Sequence, residues 1–164
     1  MIKLIYLLLC LAGNSAQCAV AFGGVVSFVT DGDTLWVQPD RGGATQKLRI
    51  LGIDAPEICQ AGGEASRSAL IQLALRQRVS VTVTRKDVYG RGLARIYLGN
   101  QDLGAQMVKS GQAWSYRWQK SPGPYAREQA LAQQLQLGVF SGGRAVNPKD
   151  FRRRNGSCHV ARAS

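Results

Sequence analysis

The sequence predicts an α+β chain, mainly a five-stranded Greek-key barrel of the OB type with about three α-helices beside it. Three observations predict this. Between Phe22 and Leu98 five short segments favour β-branched or aromatic residues, with Gly, Asp or Pro between them. One helical pattern falls between the third and fourth of these segments, and two more follow the fifth. At 164 residues and 45% hydrophobic content the chain suits one domain with a real core.

The elements follow in order. "MIKLIYLLLCLAGNSAQCAVA" has a positive charge at Lys3, an apolar run from Leu4 to Ala12, then small and polar residues ending in Ala19-Val20-Ala21. That pattern predicts a secretory signal peptide over residues 1–21. A membrane anchor is the competing reading, but the run falls well short of the about twenty residues that a span needs. "SAQC" also leaves lipid attachment at Cys18 as a minor alternative, which Gln17 fits poorly. "FGGVVSFVT" and "TLWVQ" flank Asp31-Gly32, the pair that two-residue hairpins prefer, so a first hairpin is expected with Asp33 at its exit.

"TQKLRILGI" is the third strand. Alternation would put Arg49 and Asp54, five positions apart, on opposite faces, so if both face one phosphate a bulge or kink is expected at Gly52. "GGEASRSALIQLALRQ" then places Ala65, Ala69, Leu70, Leu73 and Ala74 on one side at helical spacing. "RVSVTVTR" and "GLARIYL" complete the strands. "QDLGAQMVKSG" and "PYAREQALAQQLQLG" are helix candidates ending at Gly111 and Gly138. The domain is expected over residues 22–140, and residues 141–164 read as an irregular basic tail.

Charge and cysteines bound the function. Twenty-one Lys and Arg oppose ten Asp and Glu, a formal net charge of +11, which falls to +10 once Lys3 leaves with residues 1–21. Such a surface attracts nucleic acid or acidic membranes without choosing between them. Cleavage after Ala21 would leave Cys59 and Cys158, an even pair that suggests one disulfide in an exported protein. Two buried free thiols are the alternative.

The acids are few, so their positions matter. Asp31 and Asp33 sit at the first hairpin, Asp54 and Glu57 at the end of the third strand, and Arg49 and Arg91 near strands three and five. Carboxylates without His or Cys nearby are hard oxygen ligands that suit Ca²⁺ or Mg²⁺ and not zinc. The one histidine, His159, lies in the tail, which argues against a histidine base or a His-rich metal site. Arginine grips a phosphate through two parallel hydrogen bonds at any working pH. Taken singly, "DGD" is a turn, "DAPE" a strand end and "YGRG" a glycine-flanked turn. Their order and separation carry the weight.

With "DGDT", "LRILGIDAPE", "GGEAS" and "YGRGLARIY" in that order, from about Val25 to about Phe140, the chain resembles the staphylococcal nuclease (thermonuclease) family. The resemblance implies Ca²⁺ held by Asp33, Asp54 and the backbone carbonyl of Ala55. It implies Arg49 and Arg91 on the phosphate, Glu57 positioning or deprotonating the attacking water, and Tyr89 beside the nucleotide phosphate. It implies in-line hydrolysis of DNA and RNA at the 5′ oxygen, leaving 3′ phosphates. There are departures: Ala55 replaces a threonine, Val88 a lysine, and the loop after Glu57 is shorter and contains Cys59.

"AWSYRWQ" offers Trp114, Tyr116 and Trp118 for base stacking, or for packing. Tyr116 is the stacking candidate, although it falls out of register with the family's tyrosines. Arg152 to Arg154 read as a solvated charge run or as nonspecific phosphate contacts. The expected partner is single-stranded DNA and RNA, the chain a monomer, and its location the periplasm or exterior. A non-catalytic barrel that binds nucleic acid is the second reading, and the full set Asp33, Arg49, Asp54, Glu57 and Arg91 favours the enzyme. An envelope protein meeting acidic lipid or polymer would explain the charge but not the acids.

Overall fold

The structure is a computed structural model and describes residues 19–143 and 145–158. The expected signal segment up to Cys18, including Cys10, lies outside the described residues, as does His159. In chain order the elements are β1 (Val20–Val29), β2 (Thr34–Pro39), β3 (Gln46–Ile50), β4 (Ile53–Asp54), α1 (Gly63–Ala74), β5 (Arg78–Lys86) and β6 (Gly92–Leu98). Then come β7 (Gln101–Asp102), α2 (Leu103–Lys109), β8 (Trp114–Ser115), α3 (Ala126–Gln134), a 3₁₀ turn at Gly138–Phe140 and α4 (Pro148–Asn155).

β1 pairs antiparallel with β2 and with β5, β2 with β3, and β5 with β6. A parallel register from Leu48↔Gly92 to Ile50↔Ala94 joins β3 to β6. That pairing closes the ring into a mixed five-stranded barrel of the OB type. β1 shifts register between Val26 and Phe28. The bulge re-phases the strand, so Val26 and Val29 both point inward while Phe28 is turned out. Inside, Leu35, Val37, Leu48, Ile50, Val81 and Ile96 meet Leu70 of α1 and Leu103 and Met107 of α2. Burying each large side chain contributes about 1.5–3 kcal/mol.

Three details depart from the expectations. The first hairpin closes through a four-residue loop, Thr30 to Asp33, and not through a two-residue turn. Asp31 organises this loop by accepting from the Asp33 N–H at 3.0 Å. Gly32 serves close approach, since a Cβ there would run into Ser66 and Ala55.

The third strand breaks after Ile50 and resumes as β4, with Gly52 in the break, as the spacing of Arg49 and Asp54 leads one to expect. On α1, Ser66 and not Ala65 is buried, because its hydroxyl donates to the Gln112 carbonyl at 2.6 Å and so loses nothing by leaving water. The tail contains a fourth helix, α4, with Asn147 as N-cap accepting from the Lys149 N–H at 3.0 Å and Pro148 at its start. A cap, a proline and three arginines make a good short helix whose only periodic signal is polar.

Candidate active site

The site forms where β2, β3 and β4 meet. Ladder pairing of Thr34 with Arg49 carries Asp33 alongside Arg49. Strict alternation would send Asp54 to the face opposite Arg49. The Leu51-Gly52 turn prevents this. Gly52 takes φ 87°, a left-handed value open to glycine, and lies close under Pro124 and Tyr125. Arg49 therefore bridges both acids, Nη1 to Asp33 Oδ1 at 2.6 Å and Nη2 to Asp54 Oδ1 at 2.8 Å. Both carboxylates are nearly sealed from solvent, with 4% of each side chain exposed.

A hydrogen-bond relay continues from the same Asp33 oxygen that Arg49 holds. Thr34 Oγ1 donates to Asp33 Oδ1 at 2.9 Å and accepts from Arg91 Nη1 at 3.4 Å. Arg91 Nε is held by Asp87 Oδ2 at 2.7 Å, and its guanidinium lies 5.3 Å from the centre of the exposed Tyr89 ring. The Asp87 carboxylate also accepts from the N–H groups of Tyr89 and Arg91 at 2.9 Å each. One acid thus shapes the turn that presents Arg91. Ala55 is buried and donates its N–H to Asp33 Oδ2 at 3.0 Å.

Glu57 stands on the loop that Pro56 directs away from β4. Gln60 winds that loop: its Oε1 accepts from the Glu57 N–H at 3.2 Å, and its Nε2 donates to the Val146 carbonyl at 2.7 Å. The other partner of Glu57 comes from the tail. Arg152 Nη1 reaches Glu57 Oε1 at 2.9 Å while Nη2 reaches Asp54 Oδ2 at 2.8 Å. A disulfide joins Cys59 to Cys158.

Asp33, Arg49, Glu57, Tyr89, Arg91, Tyr116 and Arg152 all border one cleft of about 890 Å³, together with Lys47 and Arg85. Trp114 does not border it. It is buried edge-on against Phe140 with ring centres 5.3 Å apart. Trp118 is exposed, and Val88 is also fully outward.

The local field follows from this packing. Burial pushes the Asp31 carboxyl up to about 7, and the Asp33 charge beside it adds to the rise. Burial works against the charge on Arg49, but Asp33, Asp54 and Asp31 outweigh it and raise its proton affinity. Arg152 behaves alike, its burial outweighed by Asp54 and Glu57. Partial burial would lift Asp87, yet its bonds to Arg91 and to two backbone N–H groups hold it below the usual carboxylate range.

The donor set suits a hard cation. Asp33 and Asp54 converge within the span of one guanidinium, and every donor is oxygen. Among the described residues no three His, Cys, Asp or Glu side chains cluster closely enough to cage a metal. Two carboxylates and the Ala55 carbonyl could hold one only with oxygens brought by water or substrate.

From sequence alone Thr34, Gln60 and Asp87 have no assigned role, and Arg152 reads as a solvated charge or a nonspecific phosphate contact and not as a partner of Asp54 and Glu57. Thr34 and Asp87 lie inside or beside the quoted motifs, and Asp87 is four residues before Arg91. Gln60 ties the Glu57 loop to Val146 of the tail across 86 residues, and Arg152 meets Asp54 across 98, which no local pattern signals.

The family model described as staphylococcal nuclease homologue matches residues 47–141. A micrococcal nuclease of Shigella flexneri is 38% identical over 80% of this chain and 81% of its own length. An uncharacterized endonuclease of Haemophilus influenzae is 34% identical over 76% of this chain and 70% of its own, and another from Escherichia coli O157:H7 is 33% identical over 93% and 98%. With the barrel, the ordered motifs and these matches over most of its length, the chain belongs to the staphylococcal nuclease family.

Proposed function

We propose that this chain is a calcium-dependent nuclease that hydrolyses DNA and RNA at the bond to the 5′ oxygen and leaves 3′ phosphates. The observation that carries the reading is Arg49 spanning Asp33 and Asp54 on a cleft that Glu57 and Arg91 also border. Held by Asp33, Asp54 and the Ala55 carbonyl, calcium would supply Lewis-acid stabilisation of the charge that builds on the phosphoryl oxygens.

The residues supply the rest. Arg49 and Arg91 bind phosphoryl oxygens as charge accumulates on them, since each guanidinium offers a rigid fork of donors. Glu57 orients the water that attacks phosphorus in line with the departing 5′ oxygen, and its carboxylate takes up the water's proton. Asp87 keeps Arg91 aimed at the cleft, and Thr34 links Arg91 to Asp33. The exposed ring of Tyr89 borders the phosphate path, and Tyr116 on the same cleft supports stacking on an unpaired base.

Residues 1–21 act as an export signal in this reading, and the chain works as a monomer in the periplasm or outside the cell. Because Val20 and Ala21 pair with Val83 and Thr82 at the start of β1, cleavage after Ala21 would shorten that strand by two residues. The Cys59–Cys158 disulfide supports an oxidising compartment. No helix among the described residues is long and apolar enough to cross a membrane.

Digestion of single-stranded DNA with Ca²⁺ against chelator, run beside Glu57→Gln, tests the proposal. Activity should vanish in chelator and fall by about 10²–10⁴-fold in the variant. Equal digestion in chelator would remove the metal from the mechanism, and full activity in the variant would remove Glu57.

A further inference from the structure

We propose that Arg152 is a resident competitor of the metal: the C-terminal helix, fixed by the Cys59–Cys158 disulfide, holds a guanidinium on Asp54 and Glu57, and a divalent cation gains Asp54 only as Arg152 gives it up. The inference rests on the calcium reading above and adds a restraint on it from this chain's own tail.

The oxygens a cation would need are already engaged. Asp54 Oδ2 accepts from Arg152 Nη2 at 2.8 Å, and Asp54 Oδ1 accepts from Arg152 Nη1 at 3.2 Å and from Arg49 Nη2 at 2.8 Å. Glu57 Oε1 accepts from Arg152 Nη1 at 2.9 Å, and Oε2 accepts from the Cys158 N–H at 3.3 Å. A guanidinium bound through both arms is among the stronger side-chain contacts, and it cannot be switched off by deprotonation.

Arg152 is built into this position and does not merely lie across it. The tail is tied on both sides of it, by Gln60 to Val146 before and by Cys59 to Cys158 after. Both ties start from the loop that carries Glu57, so the loop and the tail form one unit. Between them α4 is capped by Asn147 and closes on Gly156 at φ 75°. Only 28% of the Arg152 side chain is exposed, against 70% for its neighbour Arg153. Such tethering makes the guanidinium an intramolecular ligand at high effective concentration.

Charge makes the exchange workable. Asp33, Asp54 and Glu57 face Arg49 and Arg152, which leaves one negative charge over. Replacing Arg152 by a dication cancels it. The metal therefore has a net electrostatic reason to enter, and its apparent affinity is reduced by the fraction of time Arg152 occupies Asp54. If that fraction is about nine-tenths, the apparent Kd is about tenfold weaker than that of the open site.

Calorimetric titration of the full chain with CaCl₂ alone, without nucleic acid, reads this directly. Arg152→Gln should tighten the Ca²⁺ Kd about tenfold. Arg153→Gln removes the same charge from the same helix and should change it less than twofold. Cys158→Ser leaves Arg152 in place but frees the tail, and it should tighten binding by a smaller factor. In the Arg152→Gln background Cys158→Ser should add nothing.

If Arg152→Gln does not fold, Cys158→Ser against wild type decides alone. Unchanged affinity in whichever of these variants folds, with Ca²⁺ bound by both proteins, would overturn the inference and leave the calcium reading standing. An equal gain in Arg153→Gln would also overturn it, because net charge would then explain the effect. No Ca²⁺ binding in any form would overturn the calcium reading and this inference with it.

Discussion

At the level of single residues, the site is ordered by acids that bind no phosphate. Asp87 is the clearest case. Its carboxylate holds Arg91 Nε at 2.7 Å and caps the turn through two backbone N–H groups, so it fixes both the direction and the approach of the arginine proposed to bind phosphate. Asp87→Asn should keep the fold but weaken that hold, lowering kcat/KM on single-stranded DNA by about tenfold, equivalent to the loss of about 1.4 kcal/mol of transition-state binding. The same acid makes a pH prediction. Its folded pKa lies below the ordinary 3.8, so the stability it contributes is complete above that value and is lost as pH falls through the folded pKa. Melting curves should therefore show wild type more stable than Asp87→Asn by about 1 kcal/mol at pH 7, with the gap closing as pH falls through the lowered folded pKa of Asp87. A gap that persists unchanged in acid would place the effect outside the carboxylate.

At the level of elements, Gly52 decides the outcome. The sequence makes the difficulty visible, because Arg49 and Asp54 are five positions apart on what reads as one strand. Alternation sets them on opposite faces, and a glycine between them marks where the strand can break. In the structure β3 ends at Ile50, Gly52 turns at φ 87°, and β4 restarts two residues before Ala55. The five strands and the first three helices were legible for the same reason: each announces itself through period, β-branching or punctuation within about ten residues. The hairpin loop, Ser66 and α4 were not. The loop is set by packing of Gly32 against α1, Ser66 by a carbonyl 46 residues away, and α4 by a cap and a disulfide and not by an apolar stripe. Gly52→Ala tests the element directly. The left-handed backbone costs about 1–2 kcal/mol with a Cβ, and that Cβ would come within 2.6 Å of Pro124 Cγ. The variant should lose at least about 1–2 kcal/mol in urea denaturation and more activity than its residual folded fraction accounts for. Loss of stability with full activity per folded molecule would show that the turn does not position Asp54.

At the level of the whole molecule, the excess of base over acid is unevenly committed. The arginines nearest the cleft floor are paired: Arg49 with Asp33 and Asp54, Arg91 with Asp87, and Arg152 with Asp54 and Glu57. Lys47 and Arg85 border the same cleft and form no salt bridge among the described residues. Net charge of +11 alone would attract any polyanion. Under the proposed function, a cleft whose wall cations have no acid partner among those residues, Lys47 resting only on the Trp36 ring at 5.5 Å, and whose floor cations are neutralised would draw a strand along the wall and present one phosphate to the floor. Binding there should release counterions from the phosphates the wall neutralises. For a single strand the slope of log K against log salt is about −0.7 per phosphate, so three to four contacts predict about −2 to −3. Fluorescence anisotropy with a labelled oligothymidylate in chelator, where the proposed calcium dependence would block hydrolysis, gives that slope without turnover. Arg85→Gln should make it shallower by about 0.7, and the same change at Arg78, which is paired with Asp40 at 2.8 Å, should leave it alone. An equal flattening by both variants would mean that the strand responds to overall charge and follows no particular wall of the cleft.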